Sequence, residues 1–102
     1  MSATVRWLSY DFLVYDPNAT WNDIAGIYIF CGLNAQNLWV PLYVGQTDSF
    51  RNRIPSHDKW TLALQRGATH VHAMVVPQAA TRDMIEKDLI GRLQPPLNIQ
   101  HR

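Results

Sequence analysis

Two runs of alternating side chains in the first half of the chain predict a β-hairpin. Residues 25–32 are rich in β-branched and aromatic side chains, and residues 38–45 form a second such run after a polar loop. Successive side chains of a strand point to opposite faces. A pairing symmetric about the loop then places Tyr28 directly across from Tyr43, so that two phenols share one patch. Pro41 lacks a ladder donor, and a bulge there would shift this register.

The alternation also predicts which hairpin side chains are buried together. The positions that share a face are Ile27, Ile29 and Cys31 on the first strand, and Val40, Leu42 and Val44 on the second. Cys31 alternates into the core with its neighbours, so we expect a buried structural thiol rather than a nucleophile.

The rest of the chain is predicted to form helices and one more strand between turns. In order, the stretches are a helix over 49–54 capped by Asp48 and interrupted by Pro55, a helix over 58–66 stopped by Gly67, a strand over 68–76 and a helix over 79–93. Residues 4–15 fit neither period cleanly, with a strand favoured. This order predicts an α+β fold, a small, mainly antiparallel sheet of about three strands flanked by helices. We expect an N-terminal arm, residues 1–24, packed on a single compact unit, residues 25–102.

Length and composition narrow the class of protein. A chain of 102 residues with 47% hydrophobic residues supports one folded domain and is not typical of a disordered protein. Its longest apolar stretch, from Ile24 to Leu33, is too short to span a membrane. A single cysteine and the absence of an apolar leader at Met1 predict a reducing, cytoplasmic setting. Because the net charge is only +1, affinity for nucleic acid must come from local clusters of basic residues.

Charged residues in the second half of the chain supply the candidate chemistry. Glu86 is the only glutamate and lies at the margin of the apolar line of the long helix, where it faces either a cleft or Arg82 one turn earlier. Arg51 and Arg53 diverge by roughly 200° on a helix, so at most one faces a cleft, and Arg53 beside the apolar Ile54 is favoured. A basic strip suited to phosphates, or to an ordinary solvated surface, comprises Arg51, Arg53, His57, Lys59 and Arg66.

Two histidines share one face of the strand predicted over 68–76. His70 and His72 suit zinc only if a third ligand, such as His57, joins them. Nothing in the spacing supplies that ligand. We therefore expect local hydrogen bonds from these histidines.

An ordered set of motifs runs through the chain: Gly26-Ile27-Tyr28, Tyr43-Val44-Gly45, Arg53, Glu86 and Asn98. This set resembles the GIY-YIG nuclease superfamily, whose domain is found in homing endonucleases, some restriction enzymes and the incision subunit of bacterial nucleotide excision repair. The resemblance extends from about Ala25 to Ile99. Each triplet alone is a weak signal, whereas the ordered set is specific. Two positions depart from the family pattern, since Gln46 stands where the family often has lysine and Pro55 lies inside the arginine helix.

The resemblance implies a divalent-metal-dependent endonuclease that hydrolyses phosphodiester bonds, with DNA favoured as the substrate over RNA. Glu86 would bind Mg²⁺ (or Mn²⁺), Tyr28 would help to activate the attacking water, and Arg53 would stabilise the transferring phosphate. The full set of implied catalytic residues is Tyr28, Tyr43, Arg53, His57, Glu86 and Asn98. Candidate contacts with nucleic acid outside this set are Arg51, Lys59 and Arg66.

The chemistry of phosphodiester hydrolysis suits these residue types. A bound metal and the guanidinium fork of Arg53 offset the negative charge that grows on phosphate oxygens. A tyrosine with its ordinary pKa of about 10 is only about 0.1% ionised at pH 7. Tyr28 therefore acts as a phenolate only if its surroundings lower its pKa, and otherwise works by orienting water.

Two other functions are open at this point. One is a nucleic-acid-binding module on the same fold with little turnover. The other is a protein interaction domain in which Trp7, Tyr10 and Trp21 form the contact surface. A homodimer or a partner chain would supply specificity that so small a domain lacks.

Overall fold

The computed structural model describes residues 3–98. In chain order, the elements of this range are β1 (Thr4–Trp7), β2 (Tyr10–Tyr15), β3 (Gly26–Leu33), β4 (Trp39–Thr47), α1 (Phe50–Arg53), a 3₁₀ turn (Ile54–Ser56), α2 (Trp60–Gln65), β5 (His70–Val75) and α3 (Ala79–Leu93). None of the helices in this range is long and apolar enough to cross a membrane.

The five strands form one antiparallel sheet in the order β1-β2-β5-β3-β4. The α+β prediction is confirmed, but the count of about three strands was too low, because residues of the predicted arm form β1 and β2. The β1–β2 turn places Leu8 in the left-handed region, with φ 58°. Because the turn has two residues, the inward-facing positions change from odd-numbered in β1 to even-numbered in β2. Val5 and Trp7 therefore share a face with Tyr10 and Phe12. The segment therefore fits neither a strand period nor a helix period when it is read straight through.

Helices cover both faces of the sheet and build two cores. On the face that we call the tyrosine face, β3 presents Tyr28 and Phe30, and Phe50 and Ile54 of the α1 region pack there. On the opposite face, the α3 face, β3 presents Ile27, Ile29 and Cys31, and Ile85 and Leu89 of α3 cover them. Cys31 is fully buried, as predicted, and burial raises the pKa of its thiol to about 12.

The β3–β4 hairpin forms as predicted but with a different register. Tyr28 pairs with Gly45 and Phe30 with Tyr43, so the two phenols are diagonal neighbours rather than directly opposite. The pairing shifts between Phe30 and Cys31, where Cys31 pairs with Pro41. This is the bulge that the missing donor of proline permits.

The bulge also divides the apolar side chains of β4 between the two faces. Leu42 packs with the core of the tyrosine face, as does Val40, whereas Val44 packs on the α3 face. The prediction that these three residues share one face was therefore wrong. One extra residue in a strand moves every side chain beyond it to the other face.

The last residues of the described range support the outer edge of β4. The backbone N–H of Leu97 donates to the carbonyl of Leu42 (3.1 Å). The side-chain amide of Asn98 pairs with the backbone of Val44 in both directions, each hydrogen bond measuring 2.8 Å. Asn98 thereby fixes the backbone of the residue that lies between Tyr43 and Gly45.

The segment that follows β4 differs in detail from the sequence prediction. The hydroxyl of Ser49, not the carboxylate of Asp48, caps α1 by accepting a hydrogen bond from the N–H of Asn52 (3.2 Å). The α-helix ends at Arg53, and Pro55 lies within the 3₁₀ turn that follows, which agrees with the predicted interruption. Gly67 ends the α2 region with φ 97°, as expected for a left-handed stop.

Candidate functional site

Both glycines of the triplets permit close approaches that a side chain would block. The hydroxyl of Tyr28 lies over Gly45, where an added Cβ would overlap it. An added Cβ at Gly26 would overlap the carbonyl of Met74 and the ring of Phe50. Gly26 therefore lets α1 approach the sheet, and Gly45 makes room for the phenol.

An aromatic cluster on the tyrosine face surrounds His57. The rings of Tyr28 and Tyr43 are 6.3 Å apart between centroids. The imidazole lies edge-on to both, at 5.3 Å from Tyr28 and 5.2 Å from Tyr43, and at 4.9 Å from Phe30. The structure thus brings both predicted tyrosines and the predicted histidine together, although Pro55 lies between the histidine and α1.

His57 is held in one tautomer. Its Nδ1 accepts a hydrogen bond from the backbone N–H of Lys59 (2.9 Å), and its Nε2 lies 2.7 Å from the hydroxyl oxygen of Tyr28. A neutral imidazole carries one proton, so an accepting Nδ1 leaves the proton on Nε2. His57 is therefore the donor to Tyr28, and the hydroxyl proton of Tyr28 is free to be donated elsewhere.

Burial governs the protonation of this cluster. It raises the pKa of Tyr28 well above the usual value, with the neighbouring Tyr43 adding to the effect and the charge of Arg53 opposing it. The pKa of Tyr43 is also raised, chiefly by burial. Burial and the Arg53 charge lower the pKa of His57 to about 4. At neutral pH both phenols and the imidazole are uncharged.

The lowered pKa of His57 predicts a loss of stability in acid. The unfolded chain protonates this histidine near pH 6.5, whereas the folded protein resists protonation down to about pH 4. The contribution of neutral His57 to the stability of the folded protein is therefore complete above pH 6.5 and disappears as the pH falls towards 4. This loss corresponds to about 3 kcal/mol in the free energy of unfolding. Urea denaturation at pH 7.5 and pH 4.5 measures this change. The His57→Gln variant should show a smaller difference between the two pH values, and an unchanged difference would contradict the assignment.

Arg53 and Arg51 diverge as the helical geometry predicts. Arg53 extends towards the aromatic cluster, where its charge acts on the pKa of Tyr28 and Tyr43, and its Nη2 donates to Oδ1 of Asp58 at 2.9 Å. Arg51 lies on the outer surface and forms an ion pair with Asp23 at 3.3 Å. The preference for Arg53 as the inward residue agrees with the structure.

Glu86 approaches the cluster from the other side of the sheet edge. Its helix, α3, packs on the α3 face, while the tyrosines lie on the opposite face. Glu86 is half-buried, and its charge reaches the cluster, since it contributes to the raised pKa values of Tyr28 and Tyr43. Its Oε1 accepts a hydrogen bond from Nε2 of Gln46 (2.9 Å), the residue after Gly45 on β4. The ion pair with Arg82 considered from the sequence is replaced by this contact.

The other predicted contacts with nucleic acid lie outside the cluster. Arg66 is exposed beyond the end of α2, and Lys59 is half-buried at its start, where its backbone N–H holds His57. Asn98 contacts the β4 backbone and acts on the cluster only through that strand.

Of the two histidines of β5, only His70 makes the local hydrogen bond that we expected, since His72 is buried and its partner is distant in the sequence. His72 is buried, and its Nδ1 accepts a hydrogen bond from Nε1 of Trp7 (2.8 Å), while His70 pairs with the hydroxyl of Thr69 (2.8 Å). Within residues 3–98, no group of three or more histidine, cysteine, aspartate or glutamate side chains is arranged to hold a metal ion. His57 lies on the other face of the sheet, beside Tyr28. The zinc arrangement therefore has no third ligand in this range.

Comparisons of folds give the chain a structural class. Two crystal structures of the GIY-YIG N-terminal endonuclease domain of UvrC from Thermotoga maritima match it, each a tyrosine-to-phenylalanine point mutant bound to its catalytic divalent cation. Both match with a TM-score of 0.57, over 74% of this chain and 82% of the other, at 23% and 22% identity. The chain has the GIY-YIG endonuclease fold. No family model matches the sequence, and a search of curated proteins gives no significant match.

The acidic residue of this GIY-YIG fold fits a magnesium-type ion. Mg²⁺ prefers oxygen ligands and is commonly held by one or two carboxylates with several waters. The carboxylate of Glu86 is half-buried and engages Gln46 through Oε1 alone, and no residue of the described range donates to its Oε2. Glu86 is therefore a residue of this site that could hold a divalent ion.

Several contacts in the GIY-YIG site were not predicted from the sequence. Asp58 pairs with Arg53, and a buried Arg82 contacts the Gln46 that engages Glu86. The one feature of the sequence that could have indicated these contacts is Gln46. It follows Gly45 of the second triplet, and because strand side chains alternate between faces, it points towards α3.

Proposed function

We propose that this protein is a divalent-metal-dependent endonuclease that hydrolyses phosphodiester bonds of DNA. The observation that carries the proposal is the buried hydrogen bond between Tyr28 and His57, with Arg53 beside it and Glu86 at the adjacent sheet edge. Each of these groups serves a need of phosphodiester hydrolysis. Two structures that share this fold are endonuclease domains bound to a divalent cation, which supports the same chemistry.

In this proposal Tyr28 acts as a neutral phenol. Burial raises its pKa, and the neutral His57 occupies one acceptor position of its oxygen through the Nε2 proton. The hydroxyl proton of Tyr28 then points away from His57 and orients the attacking water by a hydrogen bond. The protonation states of Tyr28 and His57 thus favour orientation of water over phenolate catalysis.

The charged residues act on the phosphate in this proposal. The guanidinium of Arg53 donates hydrogen bonds to the nonbridging oxygens as negative charge grows on them. Glu86 holds a divalent ion at the β4 edge, and Mg²⁺ or Mn²⁺ bound there would supply positive charge for the leaving oxygen and lower the pKa of a bound water. Tyr43 packs beside Tyr28 and fixes the shape of the cluster, while Asn98 holds the strand beneath it.

The proposal also includes the contacts with DNA outside the cluster, the source of specificity and the cellular compartment. Arg51, Lys59 and Arg66 would contact the DNA backbone outside the cluster, and a second copy or a partner chain would supply specificity. A cytoplasmic setting suits the single cysteine of the chain. The alternative of a protein interaction domain required Trp7, Tyr10 and Trp21 to form an exposed contact surface. Trp7 and Trp21 are instead only 8% and 7% exposed, and the hydroxyl of Tyr10 donates a hydrogen bond to Asp88.

A plasmid-nicking assay tests the proposal. Wild-type protein with Mg²⁺ should nick supercoiled DNA, and EDTA should abolish the reaction. Tyr28→Phe keeps the buried ring but removes the hydroxyl, and we expect about 10²-fold slower cleavage with unchanged DNA binding, the size typical for loss of a positioned acid–base group. A single-stranded RNA of matched length serves as the alternative substrate. No cleavage of either polymer, or full activity of Tyr28→Phe, would contradict the proposal.

A further inference from the structure

Arg82 is a buried cation on α3 that lacks a carboxylate partner in the described range. It is 8% exposed, and its Nη1 donates to the carbonyl oxygens of Val76 (3.1 Å) and Pro77 (2.9 Å). Its Nε donates to Oε1 of Gln46 at 3.2 Å. No carboxylate between residues 3 and 98 lies within ion-pair distance of this guanidinium. The carbonyls of the two residues that follow β5 and the amide of Gln46 therefore hold this guanidinium.

The position of Arg82 determines which way the Gln46 amide faces. A guanidinium only donates hydrogen bonds, so it must meet the amide oxygen. The amide nitrogen consequently points the other way, where it donates to Oε1 of Glu86 (2.9 Å) and to Oδ1 of Asp83. The reverse orientation would place the NH₂ group against the guanidinium and the oxygen against two carboxylates. Donors and acceptors on both sides thus select a single orientation.

This arrangement has a consequence for the proposed metal site. Gln46 donates a hydrogen bond to Oε1 of Glu86 and none to Oε2. The amide of Gln46 is itself oriented by the buried guanidinium of Arg82, which two backbone carbonyls hold. A carboxylate held through one oxygen presents the other in a defined direction, and loss of such supporting partners typically lowers metal affinity 10–100-fold.

We propose that Gln46 is a positioning residue, oriented by Arg82, that holds the Glu86 carboxylate for a divalent cation. The proposal rests on the proposed nuclease function. Lysine at this position could donate to Glu86 but could not accept from Arg82, and it would place a second cation beside the buried guanidinium. The neutral amide satisfies both partners at once.

Affinity for Mn²⁺, measured on the purified protein by electron paramagnetic resonance, tests the role of Gln46 apart from catalysis. Gln46→Met keeps the length of the side chain and removes its hydrogen bonds with Arg82, Glu86 and Asp83. We therefore expect a 10–100-fold weaker affinity and a matching rise in the Mn²⁺ concentration needed for nicking. Gln36→Met makes the same change in the exposed β3–β4 loop and should bind Mn²⁺ as wild type does.

Saturating Mn²⁺ should restore most of the nicking rate of Gln46→Met, which a general loss of folding would not permit. Wild-type affinity in Gln46→Met, in a protein that cleaves DNA, would overturn the role of Gln46 and leave the nuclease function standing. A wild-type protein that neither binds Mn²⁺ nor cleaves would refute the nuclease function and the positioning role together. A melting temperature close to wild type in each variant confirms that the folded protein was compared.

Discussion

The Glu86→Gln variant is expected to cleave DNA at least about 10³-fold more slowly than wild type while binding DNA with similar affinity. Glutamine keeps the shape of the side chain, and its oxygen can still accept the hydrogen bond from Gln46. The negative charge that would hold a divalent ion is lost, together with several kcal/mol of transition-state stabilisation that the ion would supply. Nicking in Mg²⁺ measures the rate, and fluorescence anisotropy in EDTA measures binding.

A second carboxylate on α3 gives a matched control for Glu86. Asp88 pairs with Tyr10 (2.7 Å) and with Arg92 (3.3 Å), and it has no contact with Gln46. Asp88→Asn removes the same charge from the same helix and should retain cleavage within a few-fold. Vigorous cleavage by Glu86→Gln would refute the metal assignment. Equal losses in the two variants would indicate that the helix, rather than the position of the carboxylate, is responsible.

Replacing Arg53 by alanine is expected to lower kcat by about 10²–10³, whereas the same change at Arg51 should leave kcat nearly unchanged. Removal of one positioned donor to a developing oxyanion has a cost of this size. Arg53 extends towards the tyrosines, and its charge alters their pKa values. Arg51 is two residues away on the same short helix, but it pairs with Asp23 at the surface. The two variants therefore compare an arginine that points towards the cluster with an arginine of the same helix that points towards the outer surface.

Steady-state kinetics on a labelled duplex separate the two effects. Arg51→Ala should raise KM and reduce the salt dependence of DNA binding, as loss of one phosphate contact does. Arg53→Lys should recover only part of the kcat lost in Arg53→Ala, because an ammonium lacks the planar fork of the guanidinium. Equal kcat values in Arg51→Ala and Arg53→Ala would show that Arg53 contacts phosphate only as a general cation.

The elements that the sequence predicted well depend on local patterns. The β3–β4 hairpin follows from alternation over neighbouring residues, and the 79–93 helix has the bounds that its apolar line and the following prolines indicate. The burial of Cys31 follows from the same alternation. The ordered triplets identified the fold, which the comparison of structures confirmed. The roles of the individual site residues stay predictions until the variants above are measured.

The register and the sheet edge could not be predicted in the same way. The position of the bulge depends on how Leu42 and Val44 divide between two cores, and this is decided by packing across the whole sheet. The hydroxyl of Ser49, rather than the carboxylate of Asp48, accepts the capping hydrogen bond from α1 because the path of the chain, not the residue type, sets the cap. Both outcomes arise from contacts that a local reading of the sequence does not contain.

By itself, the sequence determined which residues carry the candidate chemistry, because their types and order are written along the chain. Only the tertiary structure decided how they meet: His57 donates to a tyrosine 29 positions away, and Glu86 accepts a hydrogen bond from Gln46, whose amide oxygen accepts from Arg82. The protonation of His57 and Tyr28 was also decided there, since it depends on burial beneath residues distant in sequence. Hydrogen-bond direction and desolvation are properties of the packed molecule, and no spacing of residues encodes them on its own.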